Sequence, residues 1–310
     1  MDTTFLTVIV AVWLFPERVV GTVFLFVYLF VWLPWGMIPS TVHIGLLGLY
    51  MLVPIPKWDG FRSLWIWNWL RRVAYPVKYF DRVDYHHHHN RQVMYAIAPH
   101  GIFSENVLIS MILNERFMHV TPVAASILTW IPIVKDVCAV AGITPANRED
   151  ILHTLSVKKQ SVTIVPEGLR GILCEGEPST IPKRQGFVEC AVEAGDVLLV
   201  PIYVDGTQEL YTRWPASHVK REDHWFRRFQ HWMLSSRLRY CFVLSWGKWG
   251  GCMPLTGKEI RVFYGDPIVC GPKKSPHQDG HLYRDTVNFI HAKYTAEMEH
   301  LKCKAQKTRH

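Results

Sequence analysis

His100 is the residue of this 310-residue chain whose setting most suggests chemistry. It stands in Tyr95-Ala96-Ile97-Ala98-Pro99-His100-Gly101-Ile102-Phe103-Ser104-Glu105, just past an apolar β-type run, with Pro99 before it and Gly101 after it. That punctuation predicts a sharp turn at the edge of an open sheet, where ligands tend to bind. Glu105, five positions on, is expected on the first turn of a following helix. From there its carboxylate can accept a hydrogen bond from one imidazole nitrogen and leave the other basic. An imidazole with an ordinary pKa of ~6.5, oriented in this way, suits removal of a proton from an alcohol, an effect worth ~100- to 10,000-fold. A solitary strand-end histidine is more often a structural hydrogen-bonder, so the pattern needs company.

Three later segments supply it. Gly142-Ile143-Thr144-Pro145-Ala146-Asn147-Arg148 reads as a loop entering a helix, Val165-Pro166-Glu167-Gly168-Leu169-Arg170 follows a strand, and Leu199-Val200-Pro201-Ile202 lies inside another. Arg148 and Arg170 are fixed cations whose guanidinium groups match phosphate oxygens in bidentate fashion, although taken singly each reads equally as a surface ion-pair residue. A G-x-S-x-G elbow, a phosphate loop, an H-E-x-x-H helix and a G-x-G-x-x-G turn are all absent. The seven cysteines form no C-x-x-C pair, which argues against a zinc site or a disulfide framework and for a reducing, cytosolic setting. The run His86-His87-His88-His89 reads as a solvated loop, since consecutive imidazoles rarely converge on one ion.

The elements that must position these residues alternate. Val93–Ala98, Ser161–Val165, Val197–Val204, Tyr240–Leu244 and Ile260–Tyr264 read as strands, and 148–159, 186–195 and 284–301 as helices. The alternation predicts an α/β domain with a mostly parallel sheet over residues 93–310. In the last helix Val287, Ile290, Tyr294, Met298 and Leu301 repeat at helical spacing on one apolar face.

The N-terminus differs in kind. Residues 1–56 carry only Asp2, Glu17 and Arg18, so a net charge of +8 overall leaves +9 on the remainder. Val19–Trp35 and Val42–Ile55 are nearly uncharged and are separated by the breakers Pro34, Gly36, Pro39 and Ser40, which predicts a membrane-embedded hairpin over 1–56; a buried pair of core helices is the alternative. Residues 57–92 interleave Trp58, Trp65, Trp67 and Trp69 with Lys57, Arg62, Arg71, Arg72, Lys78 and Arg82, as expected of a segment lying on the cytosolic membrane surface. Nucleic acid would also attract aromatic and basic residues together, but the adjoining apolar stretch favours lipid.

In order and content the His-x4-acid pattern, G-I-x-x-x-x-R, P-E-G-x-R and the Val-Pro pair resemble the four blocks of glycerolipid acyltransferases. Arg184-Gln185-Gly186-Phe187-Val188-Glu189-Cys190-Ala191, continuing through Ala194-Gly195 to Leu199-Val200-Pro201, is similar to the R-x-G-F signature of the family of type 2 diacylglycerol and monoacylglycerol acyltransferases. Pro99-His100-Gly101 resembles that family's H-P-H-G, with Ala98 in place of its first histidine. Pro166-Glu167-Gly168 replaces the common P-G-G turn, and Ala74-Tyr75-Pro76 the usual Tyr-Phe-Pro.

The resemblance implies an acyl-CoA-dependent O-acyltransferase that makes triacylglycerol from diacylglycerol. His100 would be the base and Glu105 its orienter, with Pro99, Gly101, Arg148, Glu167, Gly168, Arg170, Arg184, Gly186 and Phe187 forming the substrate site. No cofactor is expected; acyl-CoA is a co-substrate, and the partners are acylglycerol lipids and the bilayer, not nucleic acid. Monoacylglycerol, a fatty alcohol or a lysophospholipid are alternative acceptors, and a catalytically silent lipid-binding scaffold is the alternative from another class. Residence in the endoplasmic reticulum membrane or on lipid droplets is implied, with the catalytic domain facing the cytosol; whether the chain forms a homo-oligomer stays open.

Overall fold

The computed structural model describes residues 57, 58, 60–65, 67, 69, 72, 77–80, 91–101, 119–130, 134–168, 171, 184–214, 224–235, 243–248, 254, 255, 259–277 and 280–308. The hairpin expected over 1–56 and the histidine run at 86–89 lie outside them. No helix among the described residues is long and apolar enough to cross a membrane.

The chain divides into two compact units, Met1–Phe61 with Ser126–Ile143, and Arg62–Ala125 with Thr144–His310. In the first, helix α1 (Val134–Ala141) buries Cys138 and Ala141 and ends at Gly142, whose φ of +70° is left-handed. There the N–H of Gly142 donates to the carbonyl of Ala139 and that of Ile143 to Cys138, closing the helix.

The second unit is built on an eight-stranded sheet. Its strands are β1 (Val77–Phe80), β2 (Val93–Ala98), β3 (Val120–Ala124), β4 (Thr144–Pro145), β5 (Ser161–Ile164), β6 (Leu198–Asp205), β9 (Ile260–Tyr264) and β10 (Ile268–Val269); β7 (Thr212–Trp214) and β8 (Leu244–Trp246) form a separate ribbon. The order is β1-β9-β6-β2-β5-β3-β4, with β10 beside β6. From β6 to β4 every pairing is parallel, with Met94 opposite Leu199 on one side and Val162 on the other. β9 and β10 pair with β6 antiparallel. All six residues of β2 are buried, as a central parallel strand covered on both faces requires.

Helix α2 (Arg148–Leu152) is capped by Asn147, whose side chain accepts from the N–H of Asp150, and runs on as a π-turn over His153–Val157. α3 (Gly186–Ala194) and α5 (Gly280–Lys307) cover the sheet. The 28-residue α5 buries Tyr283, Val287, Ile290, Tyr294, Met298, Leu301 and Ala305, the face its spacing predicted with one further residue at each end. α4 (Trp225–Ser235) follows β7 and was not anticipated from the sequence. Neither was β1, a short edge strand whose pairing partner, β9, lies far along the chain.

Candidate active site

Three neighbouring parallel strands, β6, β2 and β5, deliver Thr207, His100 and Glu167 just beyond their C-terminal ends. In an open parallel sheet this edge is where strands stop and helix N-termini and loops leave room for a ligand. His100 and Glu167 are each 7% exposed and Thr207 1%. The backbone N–H of His100 donates to Oε2 of Glu167 at 3.0 Å, so a side chain from the β5 end holds the main chain at the β2 end.

The histidine's tautomer follows from one contact. Nδ1 lies 3.0 Å from the carbonyl oxygen of Gly101, and because a carbonyl only accepts, Nδ1 carries the proton. The lone pair is therefore on Nε2. Burial pushes the imidazole pKa below its ordinary value, partly opposed by the Gly101 carbonyl, so the ring is neutral near pH 7 and able to accept a proton.

Glycine is required around this histidine. Gly101 has φ of +72°, and a Cβ there would stand 3.1 Å from Cβ of Thr207. A Cβ on Gly171 would collide with Oε2 of Glu167 and lie 2.8 Å from Cβ of His100. The Gly101 N–H makes no hydrogen bond among the described residues, nor does the buried Thr207 hydroxyl. A neutral imidazole with a free lone pair, next in sequence to a backbone N–H that has no partner among the described residues, is compatible with acyl transfer, in which a hydroxyl loses a proton and an oxyanion forms.

The model of the family described as diacylglycerol acyltransferase matches residues 28–310. The chain belongs to the diacylglycerol acyltransferase family. It is 28% identical over 269 residues to the human protein named diacylglycerol O-acyltransferase 2-like protein 6, covering 78% of this chain and 75% of that one. It is 26% identical over 274 residues to diacylglycerol O-acyltransferase 2 of Xenopus laevis, covering 79% and 70%. Among solved structures, the 1-acyl-sn-glycerophosphate acyltransferase PlsC of Thermotoga maritima overlays with a TM-score of 0.41 at 13% identity, over 79% of this chain and 78% of that one, too distant a likeness to argue from.

The acyltransferase does not gather all the residues its sequence singled out. Pro99, after a cis Ala98–Pro99 bond, is buried in the turn that presents His100. Glu167 serves the backbone of His100, and Gly168, with φ of +53°, completes its turn by donating its N–H to the carbonyl of Val165. Nη1 of the exposed Arg184 lies 3.8 Å from where a Cβ of Gly168 would stand, which brings a cation to the Glu167–Gly168 turn. Arg148 is placed differently: its guanidinium meets Glu189 at 3.0 Å and also Glu193, and so ties α2 to α3. Phe187 is 5% exposed and packs edge-on against Tyr294 at 5.0 Å between ring centroids, a core contact; Gly186 opens α3 in free space. Glu105 and Arg170 lie outside the described residues.

Ala98 is 1% exposed within the hydrophobic core, so the position where the resembling motif carries its first histidine contributes packing here. Thr207 and Gly171 were missed in the sequence. Thr207 had one available signal, its place two residues after the Val-Pro strand that neighbours the histidine strand.

Proposed function

We propose that this acyltransferase moves a fatty acyl group from acyl-CoA to the free hydroxyl of diacylglycerol, forming triacylglycerol, with His100 as general base. The observation that carries the reading is the Nδ1 contact with the Gly101 carbonyl, which leaves Nε2 as the lone-pair nitrogen. Nε2 takes the acceptor's hydroxyl proton as the oxygen attacks the thioester carbonyl. The imidazolium then returns that proton to the departing coenzyme A thiolate. The Gly101 N–H is the proposed oxyanion donor, with the Thr207 hydroxyl beside it; the Gly168 N–H, committed to Val165, is the poorer candidate. Because Nδ1 already meets the Gly101 carbonyl, Glu105, five residues from His100, is proposed to favour the imidazolium by its nearby negative charge, not by a hydrogen bond to the ring.

Coenzyme A is polyanionic, and the exposed Arg184, which stands beside the Glu167–Gly168 turn next to His100, is proposed to meet one of its phosphates. Arg170 is proposed as a further cation from the P-E-G-x-R motif. No cofactor takes part. The apolar 1–56 region is proposed to anchor the enzyme in the endoplasmic reticulum membrane, or on lipid droplets, with the basic remainder toward the cytosol.

The test is acyl transfer from labelled oleoyl-CoA by membranes containing the protein, offered diacylglycerol, monoacylglycerol, fatty alcohol and lysophosphatidate in parallel. Triacylglycerol as the dominant product supports the reading. A dominant product from another acceptor would replace the substrate, and no product from any would replace the enzyme with a silent lipid-binding scaffold.

A further inference from the structure

The β7–β8 ribbon and α4 have their polarity inside out. In the ribbon, Arg213 is buried at 7% exposure and Ser245 half-buried, while Trp214, Leu244 and Trp246 point outward. Helix α4 repeats the reversal: Arg227 and Gln230 are buried, whereas Trp225 is 62%, Phe229 42% and Trp232 59% exposed. The outward aromatics of the two elements are continuous. Trp214 lies 6.4 Å from Trp225 and Phe229 stacks on Trp232 at 5.9 Å, with the buried Phe226 beneath them, 5.1 Å from Trp214 and 6.2 Å from Phe229.

A surface facing water does not place charge inside and large rings outside, since each exposed ring forfeits its burial and each buried guanidinium loses hydration. A bilayer interface gives the outward rings the apolar surroundings that water denies them, and tryptophan is the residue most enriched at headgroup level. Arg228 is exposed between Trp225 and Phe229 on the same helix face, where a cation meets lipid phosphate. The ribbon is tethered to the catalytic edge: Trp214 follows Thr207 by seven residues, a span of at most about 25 Å of chain.

We infer that the exposed face of Trp214, Trp225, Phe229, Trp232 and Trp246 is a bilayer-docking surface, separate from the N-terminal apolar region, which seats the His100 edge of the sheet at the headgroup level where a lipid acceptor arrives. This rests on the proposed lipid acceptor for its purpose but not for its test.

The full-length chain is reconstituted into phosphatidylcholine–phosphatidylserine vesicles carrying bromine high on the acyl chains, which quenches only indole seated in the interface. Trp225→Phe/Trp232→Phe is expected to lose a substantial share of the bromine-quenchable emission. Equal quenchable emission in variant and wild type overturns the docking surface, as does quenching that is absent at high protein density and emerges only on dilution in excess lipid, which would mean the face pairs with a second copy. In a second arm, Phe229→Glu is expected to reduce transfer to bilayer-dispersed dioleoylglycerol on the order of tenfold and transfer to a water-soluble short-chain diacylglycerol less than about twofold. Equal change on both acceptors overturns the seating role. Wild-type protein that acylates neither acceptor would refute the proposed reaction while leaving the quenching result to stand for the surface.

Discussion

Oε2 of Glu167 accepts the backbone N–H of His100 at 3.0 Å, and this one bond couples the ends of β5 and β2 that hold the proposed base. A buried hydrogen bond of this kind contributes about 1–3 kcal/mol, and the shift in histidine position that follows its loss can cost about 100-fold in rate. Glu167→Gln keeps an oxygen acceptor and is expected to retain most of the turnover; Glu167→Ala is expected to lose roughly 10- to 100-fold in kcat with little change in KM. Equal kinetics for the two variants would detach Glu167 from the positioning of His100.

Gly171 offers a test by addition of one methyl group. Its Cβ would occupy the space of the Glu167 carboxylate and press on Cβ of His100. Gly171→Ala is therefore expected to lower kcat by about tenfold or more while the protein stays folded by circular dichroism. Wild-type turnover in that variant would mean that the His100–Glu167 contact tolerates displacement.

The depressed pKa of His100 has two consequences with opposite directions of benefit. Because burial keeps the imidazole neutral, the acid limb of kcat/KM should fall below the ordinary histidine value of ~6.5. A histidine whose folded pKa lies below its unfolded value binds fewer protons folded than unfolded, so stability is lost as pH drops from ~6.5 toward the folded pKa and is unaffected above ~6.5. Denaturant midpoints across that window should decline in wild type and decline less in His100→Asn. An acid limb above 6.5, or identical pH dependence of stability in the two proteins, would contradict this assignment.

Variants of the two arginines test the proposed division between acyl-CoA binding and scaffolding. Arg184→Gln is expected to raise KM for acyl-CoA several-fold and to flatten its salt dependence, because an exposed phosphate contact is screened over ~10 Å at 0.1 M salt. Arg148→Gln should leave that KM nearly unchanged and lower stability by about 0–1 kcal/mol, the usual worth of an exposed ion pair. The reverse pattern would return the phosphate role to Arg148.

Where sequence reading worked, local pattern and burial agreed. Val93–Ala98 and Ile260–Tyr264 are strands with the expected bounds because each is an apolar run closed by turn residues, and α5 carries an apolar stripe against the sheet. Where it failed, the deciding contact was distant or the pattern inverted. The contact of Glu167 with the backbone of His100 is invisible in the sequence because the strand order β2–β5 brings together residues 67 apart. The ion pairs of Arg148 are hidden for the same reason, since Glu189 and Glu193 sit on a helix 41 and 45 residues later. Helix α4 was missed since its buried face mixes Phe226 with Arg227 and Gln230.

Whether Nε2 of His100 removes the acceptor's proton is read from single-turnover acyl transfer from oleoyl-CoA to diacylglycerol by His100→Ala in membranes. The account predicts a loss of about 100-fold or more against wild type, with acyl-CoA affinity and membrane retention preserved. Transfer at the wild-type rate by His100→Ala would contradict it.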